Sequence, residues 1–360
     1  MSRILILTAS IGEGHDLPAR TLAQQLVAEH AGTEVVVEDG LAVLGRPFTW
    51  LESVPGVIFY KAQWLYDLVF RVLIDGPARQ PTRRLAVRLG SPRLLRLIDR
   101  VQPDAVVSVY PVTTEVLGAL RRRGRLQVPV VAAITDLAMM RWWAAPGLDL
   151  HLVTHPESIP EVIDVAGAGS RVEAVHGLTR PEFAEPCDPV AARRDLDLPS
   201  AAKVVLVSGG GWGVGDLDSA IDVALSLGAD EVVALCGRNE PLRLRLERAY
   251  GRERRVRVVG FTEQMSEWLA SADALVHSTG GLTVLEANIR GCPTISYGWG
   301  RGHVRANNEA FERFGLAEVA GTRVELVAAL ERALGGRRRA ADLSLAALPS
   351  AASLVLALIA

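Results

Sequence analysis

Ala274-Leu275-Val276-His277-Ser278-Thr279-Gly280-Gly281-Leu282-Thr283-Val284-Leu285-Glu286 reads as an apolar strand that runs into two glycines and opens a helix. Adjacent glycines let backbone N–H groups approach a ligand closely, and a helix N-terminus behind them adds roughly half a positive charge. The pattern is a seat for a diphosphate. Glu286 falls one to two turns into the helix, where an acceptor-only carboxylate can take hydrogen bonds from ribose hydroxyls beside the phosphates. The segment therefore points to a nucleotide.

Outward from this stretch, short runs of Val, Ile and Leu alternate with helical patterns. They are Ile4 to Thr8, Val35 to Glu38, Ala105 to Val109, Val130 to Ile134, Leu150 to Thr154 and Val172 to Val175. A second series holds Val204 to Ser208, Glu231 to Leu235, Val256 to Val259, Ala274 to His277 and Thr294 to Tyr297. Uninterrupted apolar strands between helices indicate parallel sheets covered on both faces. A proline-rich connector from Gly177 through Pro181, Pro186, Pro189 and Pro199 separates the series. The expected fold is α/β, with two doubly wound Rossmann-like domains facing across a cleft. The boundaries read as 1–177, a linker over 178–200, a second domain over 201–338 and a terminal helix over 339–360.

The 360 residues, 49% hydrophobic and 22% charged, suffice for two packed cores. A net charge of −2 leaves no electrostatic footprint for nucleic acid. Arg121-Arg122-Arg123 and Arg337-Arg338-Arg339 read as solvated helix ends. Cys187, Cys236 and Cys292 stand far apart, without metal-ligand spacing or an even count, so no metal site is expected and a reducing cytoplasm fits. The N-terminus has no signal-peptide pattern, and no stretch approaches the roughly 20 apolar residues of a spanning helix. Leu354 to Ile359 reads as the last turns of a terminal helix.

In doubly wound sheets ligands bind beyond the strand C-termini. Gly12-Glu13-Gly14-His15 follows the first strand and presents an imidazole there, able to act as a base near neutral pH. Asp136, at the end of the strand Val130 to Ile134, is placed to orient His15 or touch an acceptor hydroxyl; the bland alternative is a helix N-cap. Gly209-Gly210-Gly211 is a second phosphate loop, and Phe261-Thr262, with Met265 one turn on, follows a strand where backbone groups can read a planar base. From Arg46 to Arg84 the alternation breaks at a concentration of aromatics, Trp50, Phe59, Tyr60, Trp64, Tyr66 and Phe70. These read either as a core helix pair or as a surface that, with Lys61 and Arg71, meets lipid headgroups.

Together these residues resemble glycosyltransferase family 28, which includes the monogalactosyldiacylglycerol synthases, the processive diacylglycerol glucosyltransferases and the peptidoglycan lipid-intermediate GlcNAc transferase. The resemblance rests on Ser10 to His15, Pro103-Asp104, Thr135-Asp136, Gly177 to Phe183, Gly260-Phe261-Thr262 with Met265, and Gly280 to Glu286. It implies a GT-B fold, a UDP-sugar donor held by the C-terminal domain as substrate rather than cofactor, and an acceptor entering from the N-terminal domain. The terminal helix would return to the first domain. His15 would be the base or an acceptor contact, Gly280 and Gly281 would hold the diphosphate, Glu286 the ribose, and Phe261 with Thr262 the uracil edge. Thr279, Leu282, Thr283 and Met265 would complete the donor side with Gly209, Gly210 and Gly211. Gly12, Glu13 and Gly14 would lie on the acceptor side. Two departures stand out. Gly302-His303-Val304-Arg305 and then Asn307 replace the usual Gly-Gln-Glu before Asn, which puts His303 and Asn307 at the donor sugar. Arg141 precedes Trp142-Trp143 where a His often precedes a Trp, which puts Arg141 and Trp143 at the acceptor.

The resulting expectation is an inverting, metal-independent transfer of a hexose or N-acetylhexosamine from UDP to a hydroxyl of a lipid-like or other hydrophobic acceptor. His15 and Asp136 would be catalytic, and the protein cytoplasmic, with peripheral contact at the inner face of the plasma membrane. The alternatives are a UDP-GlcNAc epimerase of the same fold and a non-catalytic nucleotide- or lipid-binding protein.

Overall fold

The computed structural model describes residues 2–10, 13–45, 48, 67–68, 70–74, 76–137, 141–298, 300 and 303–360. Two compact units emerge: residues 1–180 with 301–306 and 346–360 form unit 1, and residues 181–300 with 307–345 form unit 2. Trp50, Phe59, Tyr60, Trp64 and Tyr66, on which the lipid-surface expectation rests, lie outside the described residues, as do Lys61, Gly12 and the side chain of Phe70.

Unit 1 holds β1 (Ser2–Thr8), β2 (Thr33–Asp39), β3 (Ala105–Ser108), β4 (Val130–Ile134), β5 (Leu150–Val153) and β6 (Val172–Ala174). They form one parallel sheet in the order β2-β1-β3-β4-β5-β6, with Leu5 paired to both Val36 and Val106. Side chains alternate faces along a strand, so an all-apolar strand fills two cores at once. Leu5 and Leu7 pack with the helices Arg79–Val101 and Pro111–Arg122 through Leu94, Val116 and Leu117. Ile4 and Ile6 pack on the opposite face with Leu22 and Leu26 of α1 (Glu13–Glu29). The terminal helix Ala351–Leu356 joins that second core through Ala351, Ala352 and Val355, and the amide of Ala351 donates to the carbonyl of His176 at 3.0 Å.

Unit 2 holds β7 (Val204–Ser208), β8 (Glu231–Leu235), β9 (Val256–Val259), β10 (Ala274–His277), β11 (Thr294–Tyr297) and β12 (Glu318–Ala320). Their order is β12-β11-β10-β7-β8-β9, again all parallel. Val205, Val207 and Val232 face the helices Leu217–Ser226 and Arg323–Gly335, while Leu206, Val233 and Leu275 face Trp268, Leu282 and Leu285. Phe183 and Leu196 belong to the same core as Leu206, so the chain over 181–196 packs on unit 2. Arg290, only 3% exposed, fastens it by donating to the carbonyl oxygens of Glu182 at 2.5 Å and Glu185 at 2.8 Å.

The arginine clusters divide. Arg121 and Arg122 do sit in the last turn of their helix. Arg338 corrects the expectation of a solvated end: its guanidinium donates to the carbonyls of Leu269, Ala270, Ala272 and Arg290, at the C-terminal ends of the helices Met265–Ser271 and Gly281–Ile289, where carbonyls run out of intrahelical donors. The three cysteines are free. Among the described residues no helix is long and apolar enough to cross a membrane.

Candidate active site

In each unit the strand order reverses once, between β1 and β3 and between β7 and β10, and loops at such a switch point part to leave a crevice. The sequence-predicted residues lie on the segments that follow these and the neighbouring strands.

In unit 2 the loops after β7 and β10 interlock. Gly210 has φ 68°, and a Cβ there would stand 2.7 Å from Cγ2 of Thr279. Gly215 has φ 103°, and a Cβ there would run into Oγ of Ser278, which donates to the carbonyl of Val214 at 2.6 Å. Only glycine satisfies both the left-handed backbone and the close approach. Gly209 and Gly211 tie in by backbone: Val214 N–H donates to Gly209 O at 2.9 Å and Arg238 N–H to Gly211 O at 2.8 Å. The Arg238 guanidinium, from the loop after β8, lies 3.8 Å from the ring centroid of Phe261, after β9. Phe261 is 37% exposed, and Thr262 accepts from the amide of Gln264 at 3.1 Å. Four strand-end loops are thus knitted together.

The helix Gly281–Ile289 starts in this setting with Gly280 as its N-cap, without a side-chain cap and without an acidic residue in its first turn. Its first amides are therefore not pre-empted by a Ser, Asp or Asn at the cap position. Thr279, Gly280 and Thr283 are half-buried, and Glu286 is 6% exposed on the same helix. Leu282 and Met265 pack in the core beside Trp268 and Leu285, so their part in the site is to seat the loops. Asn307 is fully buried on the helix His303–Phe314, next to Asn308, whose Oδ1 accepts from Ser296 at 2.7 Å. His303 opens that helix; its side chain is outside the described set.

At the switch point of unit 1, Thr8 at the end of β1 donates to Asp16 at 2.8 Å, and Asp39 accepts from Ser10 N–H at 3.0 Å and from Ala42 N–H at 2.9 Å. Burial pushes the Asp39 carboxyl up, but these amides outweigh it and hold it below its ordinary value. Burial raises Asp16. The half-buried His15 ring meets Tyr110 edge-on at 5.0 Å and Trp143 at 5.5 Å. Trp143, fully buried, donates its indole N–H to Asp136 at 2.9 Å. Thr135 donates to the carbonyl of Gly14 at 3.1 Å.

The loops after β1 and β4 are thus brought together as the sequence suggested, with Trp143 as the residue that touches both His15 and Asp136. Glu13 pairs with Arg20 at 2.5 Å, a Cβ on Gly14 would meet open space, and Arg141 is exposed. Sequence reasoning missed Tyr110, Arg238 and Ser278. The strand-end rule, applied to the loop after β3, would have found Tyr110. Among the described residues no group of three His, Cys, Asp or Glu side chains could hold a metal ion.

Residues 15–178 match the family model of monogalactosyldiacylglycerol (MGDG) synthase, and residues 204–346 that of the glycosyltransferase family 28 C-terminal domain. A processive diacylglycerol beta-glucosyltransferase of Bacillus subtilis (strain 168) is 26% identical over 332 residues, which cover 90% of this chain and 85% of that one. One from Staphylococcus aureus (strain MRSA252) is 24% identical over 327 residues, covering 90% and 83%. Among solved structures, MurG of Acinetobacter baumannii superposes with a TM-score of 0.62 at 18% identity, covering 100% and 99% of the two chains. A spinosyn rhamnosyltransferase complexed with thymidine diphosphate does so with a TM-score of 0.61 at 14% identity, covering 99% and 100%. These likenesses carry the fold, which is GT-B. With one family model on each sheet and the two following one another along the sequence, the chain is similar to glycosyltransferase family 28 over most of its length and is a hexosyltransferase.

Proposed function

We propose that the protein transfers a hexose or N-acetylhexosamine, with inversion, from a UDP-sugar to the hydroxyl of a diacylglycerol-type lipid. The acceptor oxygen bonds to the anomeric carbon as the bond from that carbon to the diphosphate breaks. The hydroxyl proton passes to His15, and the electron pair leaves on the diphosphate oxygen. Unit 2 takes the donor: the N-terminus of the helix Gly281–Ile289 and the Gly209 to Gly211 loop meet the diphosphate, Glu286 the ribose, and Phe261 with Thr262 the base. Unit 1 takes the acceptor through Gly14, His15, Asp136 and Trp143. A lipid acceptor places the reaction at a membrane surface, and a UDP-sugar donor places it on the cytoplasmic side.

The observation that carries this reading is the interlocked pair of glycine loops ahead of a helix with no side-chain cap at its N-cap. Amides at a helix start contribute only about 0.3 to 1 kcal/mol each way at exposed sites, so exclusion of water must add to them. The test is mass spectrometry of products from UDP-glucose, UDP-galactose and UDP-GlcNAc with diacylglycerol vesicles. A glycosylated diacylglycerol from one donor supports the reading. Release of UDP with no lipid product, or a donor epimer formed without acceptor, would replace it.

A further inference from the structure

His277 ends β10 immediately before the glycine loop, 2% exposed, and burial holds its imidazole down to about 3. Its Nδ1 lies 3.1 Å from the backbone nitrogen of Thr279 and 2.7 Å from Thr279 Oγ1. A backbone N–H can only donate, so Nδ1 must accept and the ring proton sits on Nε2. That Nε2–H is buried without a hydrogen-bond partner among the described residues, in a ring that packs 6.0 Å from Phe311. For filling space alone, an apolar side chain would do better than a ring with one stranded donor. What the histidine adds is an acceptor aimed along the chain at the residue before Gly280.

We propose that His277 is a positioning residue for the diphosphate seat: through Nδ1 it fixes Thr279 and thereby the amides of Gly280 and Gly281. The inference rests on the reading of that loop as the donor site. Three contacts act together on the turn. His277 holds Thr279 from behind, Ser278 donates to Val214, and the Thr279 methyl closes on Gly210 of the facing loop. Without the Nδ1 acceptor the Thr279 amide is left to seek another partner, and the peptide planes that precede the helix can rotate. Protonation would have the same effect, since Nδ1 would become a donor facing a donor. Burial prevents that over the working range, so the seat stays formed.

Two variants of similar size separate this role from packing. Asparagine places a carbonyl oxygen where Nδ1 stands; leucine does not. In the full-length protein, His277→Leu should weaken UDP binding by calorimetry about tenfold, the worth of roughly one hydrogen bond to a site. His277→Asn should stay within about threefold of the parent, although it packs no better than leucine. Amide hydrogen exchange at Thr279, measured without nucleotide, should be slow in the parent and in His277→Asn and fast in His277→Leu. Equal UDP affinity in parent and His277→Leu, or equal losses in both variants, would overturn the inference. A parent that does not bind UDP would sink the donor-site reading instead, and Thr279 exchange would still decide whether His277 holds the loop.

Discussion

Trp143 is the residue that links His15 and Asp136 in unit 1. Its indole lies against His15 and its N–H is given to Asp136, so the imidazole and the carboxylate are held through one rigid side chain. Sequence reasoning had Asp136 orienting His15 or touching the acceptor, and Trp143 meeting the acceptor. Position beyond a strand end was legible, but which partner each side chain would take was not, because that depends on the turn that folds Trp142 and Trp143 back into the core. On the proposed mechanism His15→Ala should lower kcat by about 10² to 10⁴-fold, the usual worth of a general base, while UDP affinity is kept because the proposed donor loops belong to unit 2. Kinetics and calorimetry on the same preparation check both halves, and an unaltered kcat would remove His15 from the proposed mechanism. Trp143→Phe keeps an aromatic ring beside His15 but deletes the donor to Asp136 together with part of the buried ring volume. It should cost about 2 to 4 kcal/mol in chemical denaturation, and a fall in kcat of the folded variant then reports the loss of the link between His15 and Asp136.

At the scale of elements, eleven strands were legible because most carry a short run of Val, Ile, Leu and Ala, buried along its length in β1, β3, β4 and β7; β7 to β11 match the sequence reading residue for residue. β12 was not, since a three-residue edge strand that begins with the exposed Glu318 carries no apolar run. Arg338 misled for a related reason: three consecutive arginines look solvated, and nothing local in the sequence says that four carbonyl oxygens from distant elements converge on the middle one. The glycine loops were legible as loops but not as partners. Their pairing makes a sharp contrast testable. Gly210→Ala puts a Cβ against Thr279 at a left-handed backbone position, so it should destabilise unit 2 by about 1 to 3 kcal/mol and weaken UDP binding. Gly14→Ala, in a helix with open space at its Cβ, should hold or raise stability by up to about 1 kcal/mol. If it raises the KM for diacylglycerol without changing that for the UDP-sugar, the open face at Gly14 is acceptor space; unchanged kinetics would argue that it is not.

Over the whole molecule, both units bury neutral histidines, and this couples the fold to pH. His155 in unit 1 is held at about 4 and His277 in unit 2 at about 3, in each case chiefly by burial; for His155 the nearby Glu157 pushes the other way and is outweighed. Burial lowers His151 as well. In the unfolded chain these rings titrate near 6.5. Below that value the unfolded chain binds protons that the folded chain refuses, so stability falls as pH drops from about 6.5 toward the folded values and is fully present above it. At about 1.4 kcal/mol per pKa unit, each of the two histidines withdraws on the order of 3 to 5 kcal/mol once the pH reaches its folded value. Asp39, lowered by its amide partners, adds a further loss only below about 4, where an ordinary aspartate starts to protonate. Asp16 and Glu115, raised by burial, oppose the trend because their folded forms take up protons before the unfolded chain does. The buried histidines therefore pull stability down as the pH falls from about 6.5, with Asp16 and Glu115 offsetting part of the loss. Thermal unfolding followed from pH 8 to 5 should show a Tm that is level above about pH 7 and falls steadily below it. His277→Leu, which removes one refused proton from unit 2, should flatten part of that slope even though it weakens UDP binding. A Tm indifferent to pH across the interval, or an unchanged slope in His277→Leu, would mean that the ring takes up its proton without opening the fold, and the picture of a sealed, permanently neutral imidazole behind the glycine loop would have to be given up.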